Sequence, residues 1–139
     1  HGIRNVFKFR FKPNLREFRE LTGLSVDDRT AWIAAAQDMI ARSQVEIIML
    51  TLGDGGALAV TRGQAVFAPA VPVRARSAVG AGDSFVGAVA WSLAEGYDPI
   101  DAFRYGMAAG AAALLSPGTE LCRADDVVRL YPQVQLQYL

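Results

Sequence analysis

The chain has 139 residues, of which 52% are apolar and 20% are charged. This balance is typical of a folded globular chain and excludes an intrinsically disordered one. The 14 basic and 14 acidic residues cancel to a net charge of zero, so no nucleic-acid partner and no anionic membrane partner is indicated. Because Cys122 is the single cysteine, an internal disulfide is excluded, and we expect a cytoplasmic protein without a membrane span.

The first part of the chain predicts a strand and two helices. Residues 6–11 alternate apolar and basic side chains, which is typical of a strand. A short helix is expected over residues 14–22, with Gly23 as its end. A second helix is expected over residues 25–41. Its predicted buried face comprises Trp32, Ile33, Ala36, Met39 and Ile40.

The middle of the chain predicts strands. Residues 45–52 form a nearly continuous apolar run, which is typical of a buried parallel strand. Residues 57–61 and 64–68 predict a hairpin, because Arg62-Gly63 between them is a turn sequence. Residues 71–76 predict a further strand.

The last part of the chain predicts three helices. The first is expected over residues 84–94, with Gly96 as its stop. Asp98 and Pro99 fit the N-cap and the first position of a second helix that ends at about Leu115. A third, short helix is expected over residues 124–130. Strands and helices in this order indicate the α/β class. Both tryptophans, Trp32 and Trp91, have helical core spacing and are expected to pack in the interior.

The most informative segment places three small residues, Gly80, Ala81 and Gly82, directly before Asp83 and an Ala-rich helical run. A small-residue turn that opens a helix presents backbone N–H groups at the positive end of the helix dipole, which favours an anion. A carboxylate beside such a site could take a proton from a hydroxyl that receives a phosphoryl group. The alternative is that Asp83 is simply a helix N-cap, whatever the function.

This segment resembles the second signature of the ribokinase-like (PfkB) carbohydrate kinases, in which a Gly-Ala-Gly-Asp turn supplies the anion hole and the catalytic base. Residues 12–17 (Lys-Pro-Asn-Leu-Arg-Glu) and 51–57 (Thr-Leu-Gly-Asp-Gly-Gly-Ala) are similar to two further family motifs. The tail, residues 108–122, is most similar to the minor 6-phosphofructokinase branch. The motifs keep their family order over residues 11–131, and together they are specific.

The resemblance implies catalytic roles for four residues. Asp83 would accept the proton of the attacking sugar hydroxyl. The N–H groups of Gly80, Ala81 and Gly82 would stabilise charge on the transferred phosphoryl group.

The resemblance also implies cofactor-binding residues. Thr51, Gly53 and Gly56 would approach the phosphates of ATP, and Lys12 would lie near phosphate too. Ser116 corresponds to a position near the adenosine or the cation loop. The alternatives are hairpin glycines with positive φ, an ordinary surface lysine and a helix-terminal serine.

The resemblance implies that Asn14 and Glu17 help to hold Mg²⁺, and two such residues suffice for a hard cation that keeps its waters. A helix cap and a solvated acid are the alternative for this pair. The resemblance raises K⁺ as a further cofactor. However, Ser77-Ala78 replaces the common Asp-Thr whose oxygens help to hold it, so the sequence favours K⁺ less than Mg²⁺.

The resemblance therefore predicts the C-terminal, nucleotide-binding half of a ribokinase-like three-layer α/β/α fold, with residues 1–139 as a single partial domain. The N-terminal half and the β-lid of the family would be absent from this chain. A homodimer is expected only for the full-length protein. The expected activity is 6-phosphofructokinase, with ATP and a sugar phosphate as small-molecule partners. The alternatives are 1-phosphofructokinase, tagatose-6-phosphate kinase, fructokinase, ribokinase or a non-catalytic nucleotide-binding fragment.

Overall fold

The structure is a computed structural model, and it describes residues 5–9, 29–42, 45–51, 55–74, 80–115 and 123–139. The chain divides into two compact units: residues 1–67 with 137–139, and residues 68–136. The single partial domain expected over residues 1–139 stays a prediction. The helix predicted at 14–22 lies outside the described residues.

The first unit contains a five-stranded sheet whose strands lie side by side in chain order. Strand β1 pairs antiparallel with β2, β2 with β3, and β4 with β5. The strands are β1 (Asn5–Phe9), β2 (Ile47–Thr51), β3 (Ala57–Thr61), β4 (Gln64–Ala68) and β5 (Gln137–Tyr138). The hairpin predicted around Arg62-Gly63 is confirmed as β3 and β4.

The apolar run that became β2 was predicted correctly as buried but wrongly as parallel. Residues 47–50 are buried, yet β2 is antiparallel to both β1 and β3. Residues 52–56 alone join β2 to β3, and a parallel pair needs a much longer crossover connection. A continuous apolar run indicates that both faces of a strand are buried. It does not indicate whether the strand pairs parallel or antiparallel with its neighbours.

Helix α1 (Arg29–Arg42) packs on this sheet through the predicted face. Trp32, Ala36, Met39 and Ile40 are buried, and Ile33 is partly buried against them. Their spacing places them on one side of a helix with 3.6 residues per turn. From the sheet, the same core cluster takes in side chains of β2, β3 and β4: Ile48, Leu50, Leu58, Val60, Ala65 and Phe67.

The second unit is helical. It contains α2 (Ala81–Ala94), α3 (Pro99–Leu115), α4 (Ala124–Leu130) and a 3₁₀ turn (Tyr131–Gln133). The predicted stop and restart between α2 and α3 are confirmed. Gly96 has φ 89°, and the Ile100 N–H donates to Asp98 Oδ2 over 2.9 Å. Asp98 therefore caps α3, and Pro99 takes the first helical position, where no N–H is needed.

The strand predicted over residues 71–76 is wrong for the part that is described, because residues 71–74 form no strand. Pro72 has no N–H to donate to a neighbouring strand, so prolines are confined to edges and bulges. Its presence within the apolar stretch was the signal against a strand.

Helices α2 and α3 pack closely because small residues line their contact. A Cβ atom on Gly106 would lie 2.6 Å from Cγ2 of Val89, so only glycine fits there. Phe85 and Phe103 meet edge to face, with ring centroids 6.3 Å apart. The expected interior position of Trp91 is wrong, since its side chain is 55% exposed. Its angular position on α2 differs from that of the buried Phe85 and Val89.

Candidate active site

The first turn of α2 carries the predicted anion site. Gly80 occupies the N-cap with φ 86° and ψ −5°, a left-handed conformation that glycine adopts without steric penalty. Its carbonyl accepts the first helical hydrogen bond, from the Ser84 N–H at 2.9 Å. The N–H groups of residues 80–83 therefore have no acceptor within the helix and lie at its positive end.

Asp83 lies inside α2, at its third residue, and is exposed. The alternative that Asp83 is the N-cap is therefore wrong, because Gly80 takes that position. The helix also begins at Ala81, three residues before the predicted start at Ser84. The small-residue segment was predicted as a turn that opens the helix, but Ala81, Gly82 and Asp83 already form its first turn, where the N–H groups need no intrahelical partner.

The described residues leave space beside this turn. A Cβ atom built on Gly80 or Gly82 would meet no atom of the described segments within 4 Å. Behind the turn, α3 approaches at Gly110, where a Cβ atom would lie 3.5 Å from the Ala81 carbonyl oxygen. The turn is thus supported from one side by α3 and leaves room for an anion beside its glycines.

Ser84, next to the predicted base, was not singled out from the sequence. It is 7% exposed, and its Oγ atom has no hydrogen-bond partner in the part of the chain that is described. Buried hydroxyls are ordinarily paired, and the Ser92 Oγ atom of the same helix also has no described partner, so this feature does not by itself mark a ligand position. A serine within a Gly-Ala-Gly-Asp segment was the available signal.

Two predicted nucleotide-binding residues meet at one end of the sheet in the first unit. Thr51 ends β2 and lies opposite Ala57 of β3, and Gly56 directly precedes Ala57. The Thr51 Oγ1 atom is buried, and no described group is its hydrogen-bond partner. Gly56 is buried with φ 95°, as the hairpin-glycine alternative expects. That conformation is compatible with both interpretations of Gly56, and its contact with ATP stays a prediction.

The remaining predicted site residues lie outside the described residues. They are Lys12, Asn14, Glu17, Gly53 and Ser116, together with the Ser77-Ala78 departure. Within the described segments, no three His, Cys, Asp or Glu side chains are grouped so that they could hold a metal ion. Within the same segments, no helix combines the length and apolar character that a bilayer crossing requires.

Known proteins resemble the chain over most of its length. The pfkB family carbohydrate kinase profile matches residues 9–126. The ATP-dependent 6-phosphofructokinase isozyme 2 of Mycobacterium tuberculosis is 41% identical over 88% of this chain and 36% of its own length. The isozyme 2 of Escherichia coli K12 is 37% identical over 86% of this chain and 39% of its own length. The chain thus spans little more than a third of these relatives.

Solved structures agree with the sequence relatives. Phosphofructokinase-2 from Escherichia coli, crystallised with potassium, matches with a TM-score of 0.74 and 36% identity, over 86% of this chain and 39% of that one. Ribokinase from Arabidopsis thaliana, in complex with ribose and ATP, matches with a TM-score of 0.69 and 23% identity, over 86% of this chain and 39% of that one. The fold is therefore that of the ribokinase-like kinases. With the profile match over residues 9–126, it follows that the chain belongs to the pfkB family of carbohydrate kinases.

Proposed function

We propose that the protein transfers the γ-phosphoryl group of ATP to a hydroxyl of a sugar phosphate. Fructose 6-phosphate is the proposed acceptor, and fructose 1,6-bisphosphate and ADP are the products. One observation carries the proposal: the N–H groups of residues 80–83, which have no acceptor within the helix, and the exposed Asp83 carboxylate share the first turn of α2.

The proposed chemistry divides between backbone and side chain. The acceptor hydroxyl attacks the γ-phosphorus atom, its proton goes to the Asp83 carboxylate, and the bond to the ADP oxygen breaks. The N–H groups at the positive end of α2 stabilise the negative charge on the transferred group. Because these donors are fixed by the helix, they need no rearrangement during the reaction.

ATP would be held by Lys12, Thr51, Gly53, Gly56 and Ser116. The buried Thr51 hydroxyl, for which the described residues offer no hydrogen-bond partner, supports this assignment, since a phosphate oxygen could take that place.

Mg²⁺ would neutralise phosphate charge when bound, and Asn14 and Glu17 carry the oxygen ligands that this ion prefers. After ATP and Mg²⁺, K⁺ is a third candidate cofactor. The cytoplasm is the proposed location of the protein.

The acceptor is proposed from the relatives. Several are named 6-phosphofructokinase, whereas others at similar identity are named bifunctional protein HldE, as in Bradyrhizobium diazoefficiens at 37%. A different sugar acceptor is therefore the main alternative within the family. The second alternative is a nucleotide-binding segment without turnover.

The test is an acceptor panel that measures ADP release with Mg–ATP. It compares fructose 6-phosphate with fructose 1-phosphate, tagatose 6-phosphate, fructose and ribose, in the longest form of the protein that the gene encodes. We expect the highest kcat/KM with fructose 6-phosphate. A higher value for another sugar would replace the acceptor and keep the kinase. Nucleotide binding without any sugar-dependent ADP release would contradict the kinase proposal and favour the binding segment.

A further inference from the structure

The far end of α2 carries exposed aromatic rings that the proposed reaction does not use. Trp91 is 55% exposed and Tyr97 is 41% exposed. The two rings meet edge to face, with centroids 5.8 Å apart. Large exposed aromatic side chains are characteristic of binding surfaces, because they offer much contact area for little loss of conformational entropy.

Three acids accompany these rings, and the nearest basic residue along the chain is Arg104 of α3. Glu95 is four residues after Trp91, and Asp98 and Asp101 are three residues apart, so each pair shares a helical face. All three acids are exposed, and residues 80–103 contain no lysine or arginine. The carboxyl end of α2 adds the negative end of a helix dipole. The aromatic–acidic patch, which we define as Trp91, Glu95, Tyr97, Asp98 and Asp101, is therefore complementary to a cation.

The patch is held in a fixed shape. The Tyr97 N–H donates to the Ser92 carbonyl over 3.0 Å, and the Gly96 N–H donates to the Leu93 carbonyl over 3.1 Å. Asp98 is fixed as the cap of α3. A binding surface that is already ordered loses less entropy when a partner docks.

The fold itself contains the type of contact that the patch could make with a partner. Tyr97 stacks on Tyr105 with centroids 5.5 Å apart, and Tyr105 lies 4.3 Å from Tyr131. Trp91, Tyr97, Tyr105 and Tyr131 thus form an aromatic row. At the Tyr131 end of this row, Arg104 Cζ lies 5.4 Å from the centroid of the Tyr131 ring. A guanidinium thus already stacks on one end of the aromatic row, while Trp91 at the other end is exposed. Tryptophan is the best aromatic partner for a cation.

We propose that the aromatic–acidic patch docks a basic segment of a partner protein, with an arginine guanidinium on the exposed Trp91 ring. Glu95, Asp98 and Asp101 balance the charge of the segment. The patch and the first turn of α2 lie at opposite ends of a 14-residue helix, about 20 Å apart. Docking is therefore separate from the proposed phosphoryl transfer and is tested without it.

The probe is a hexa-arginine peptide titrated into the full chain by calorimetry at low salt. Trp91→Leu keeps an apolar side chain but removes the ring, and should weaken binding about two- to fivefold. Asp98→Asn keeps the cap of α3, so the triple variant E95Q/D98N/D101N removes charge without removing a helix cap, and should weaken binding at least as much. Hexa-lysine, with equal charge, should bind more weakly than hexa-arginine, because ammonium groups do not stack.

The matched control is Asp125→Asn, which removes an exposed first-turn acid from α4 and should leave the affinity unchanged. Thermal unfolding checks that each variant folds, and Trp91→Phe, which keeps a weaker ring, should give an intermediate affinity. The proposal is overturned if hexa-arginine does not bind or binds all variants equally. It is also overturned if hexa-lysine binds as tightly, or if sedimentation shows self-association that Trp91→Leu abolishes, which would make the occupant a second copy.

Discussion

Gly106 of α3 lies so close to Val89 of α2 that a Cβ atom on Gly106 would meet the valine Cγ2 atom at 2.6 Å. Phe85 ring atoms would be 3.0 Å from the same Cβ. Gly106→Ala should therefore force the two helices apart and lower the free energy of unfolding by about 1–3 kcal/mol. Chemical denaturation of the variant measures this change.

Gly87→Ala is the matched control for this prediction. Gly87 also lies in a helix, but it is exposed, and a Cβ atom there meets no atom within 4 Å. The substitution should raise the free energy of unfolding by up to about 1 kcal/mol, because alanine favours helix. Equal effects at the two glycines would contradict the close packing of α2 on α3.

Gly80 and Gly82 should respond differently to alanine. Gly80 has φ 86°, so Gly80→Ala should cost about 1–2 kcal/mol of stability. Gly82 has open space and helical φ, so Gly82→Ala should leave stability nearly unchanged. Its methyl group would nevertheless stand beside the proposed anion site, and phosphoryl transfer should fall. Thermal unfolding and ADP release on the same samples check both; unchanged transfer in Gly82→Ala would contradict a close approach of phosphate.

Thr51→Val should separate nucleotide binding from stability. The Thr51 hydroxyl is buried and no described group pairs with it, so valine of the same shape should not lower the free energy of unfolding. If the hydroxyl binds an ATP phosphate, the variant should bind Mg–ATP about 10-fold more weakly, which corresponds to a lost hydrogen bond to a charged group. Calorimetric titration with Mg–ATP measures this. A loss of stability with unchanged affinity would assign the hydroxyl a structural partner instead.

Ionisation of Tyr105 should lower the free energy of unfolding at alkaline pH. Burial, followed by the neighbouring Tyr97 and Tyr131 and by Asp101, raises the pKa of Tyr105 above its ordinary value of 10.0. The unfolded chain therefore releases this proton at lower pH than the folded one. The contribution is fully present below about pH 10 and is lost as pH rises through the folded-state pKa. Denaturation at a series of alkaline pH values should show a shallower loss in Tyr105→Phe; an identical loss in both proteins would contradict the shift.

Local signals in the sequence predicted much of the fold correctly. Gly96 and the Asp98-Pro99 pair determine the backbone only of the residues next to them. The end of α2 and the start of α3 could therefore be predicted without knowledge of tertiary contacts. The buried face of α1 could also be predicted, because apolar residues recur at helical spacing along its four turns.

Non-local features were not readable. The antiparallel direction of β2 depends on its neighbours, and an apolar run has the same pattern in either direction. The aromatic row from Trp91 to Tyr131 combines residues that precede α3, lie within it and follow it in the chain. No regular spacing in the sequence could therefore predict this row. At the candidate site, motif resemblance predicted a role for Asp83, which stays a prediction, whereas the Ser84 hydroxyl, which has no described partner, was identified only from its burial.

Asp83 is proposed as the general base beside the anion site of α2. The most direct measurement is the single-turnover rate of phosphoryl transfer from Mg–ATP to fructose 6-phosphate in Asp83→Asn, with Asp125→Asn as the control. We expect a rate at least about 100-fold lower in Asp83→Asn, with Mg–ATP affinity within a few fold of the parent, and no change in the control. A rate in Asp83→Asn equal to that of the parent protein would contradict it.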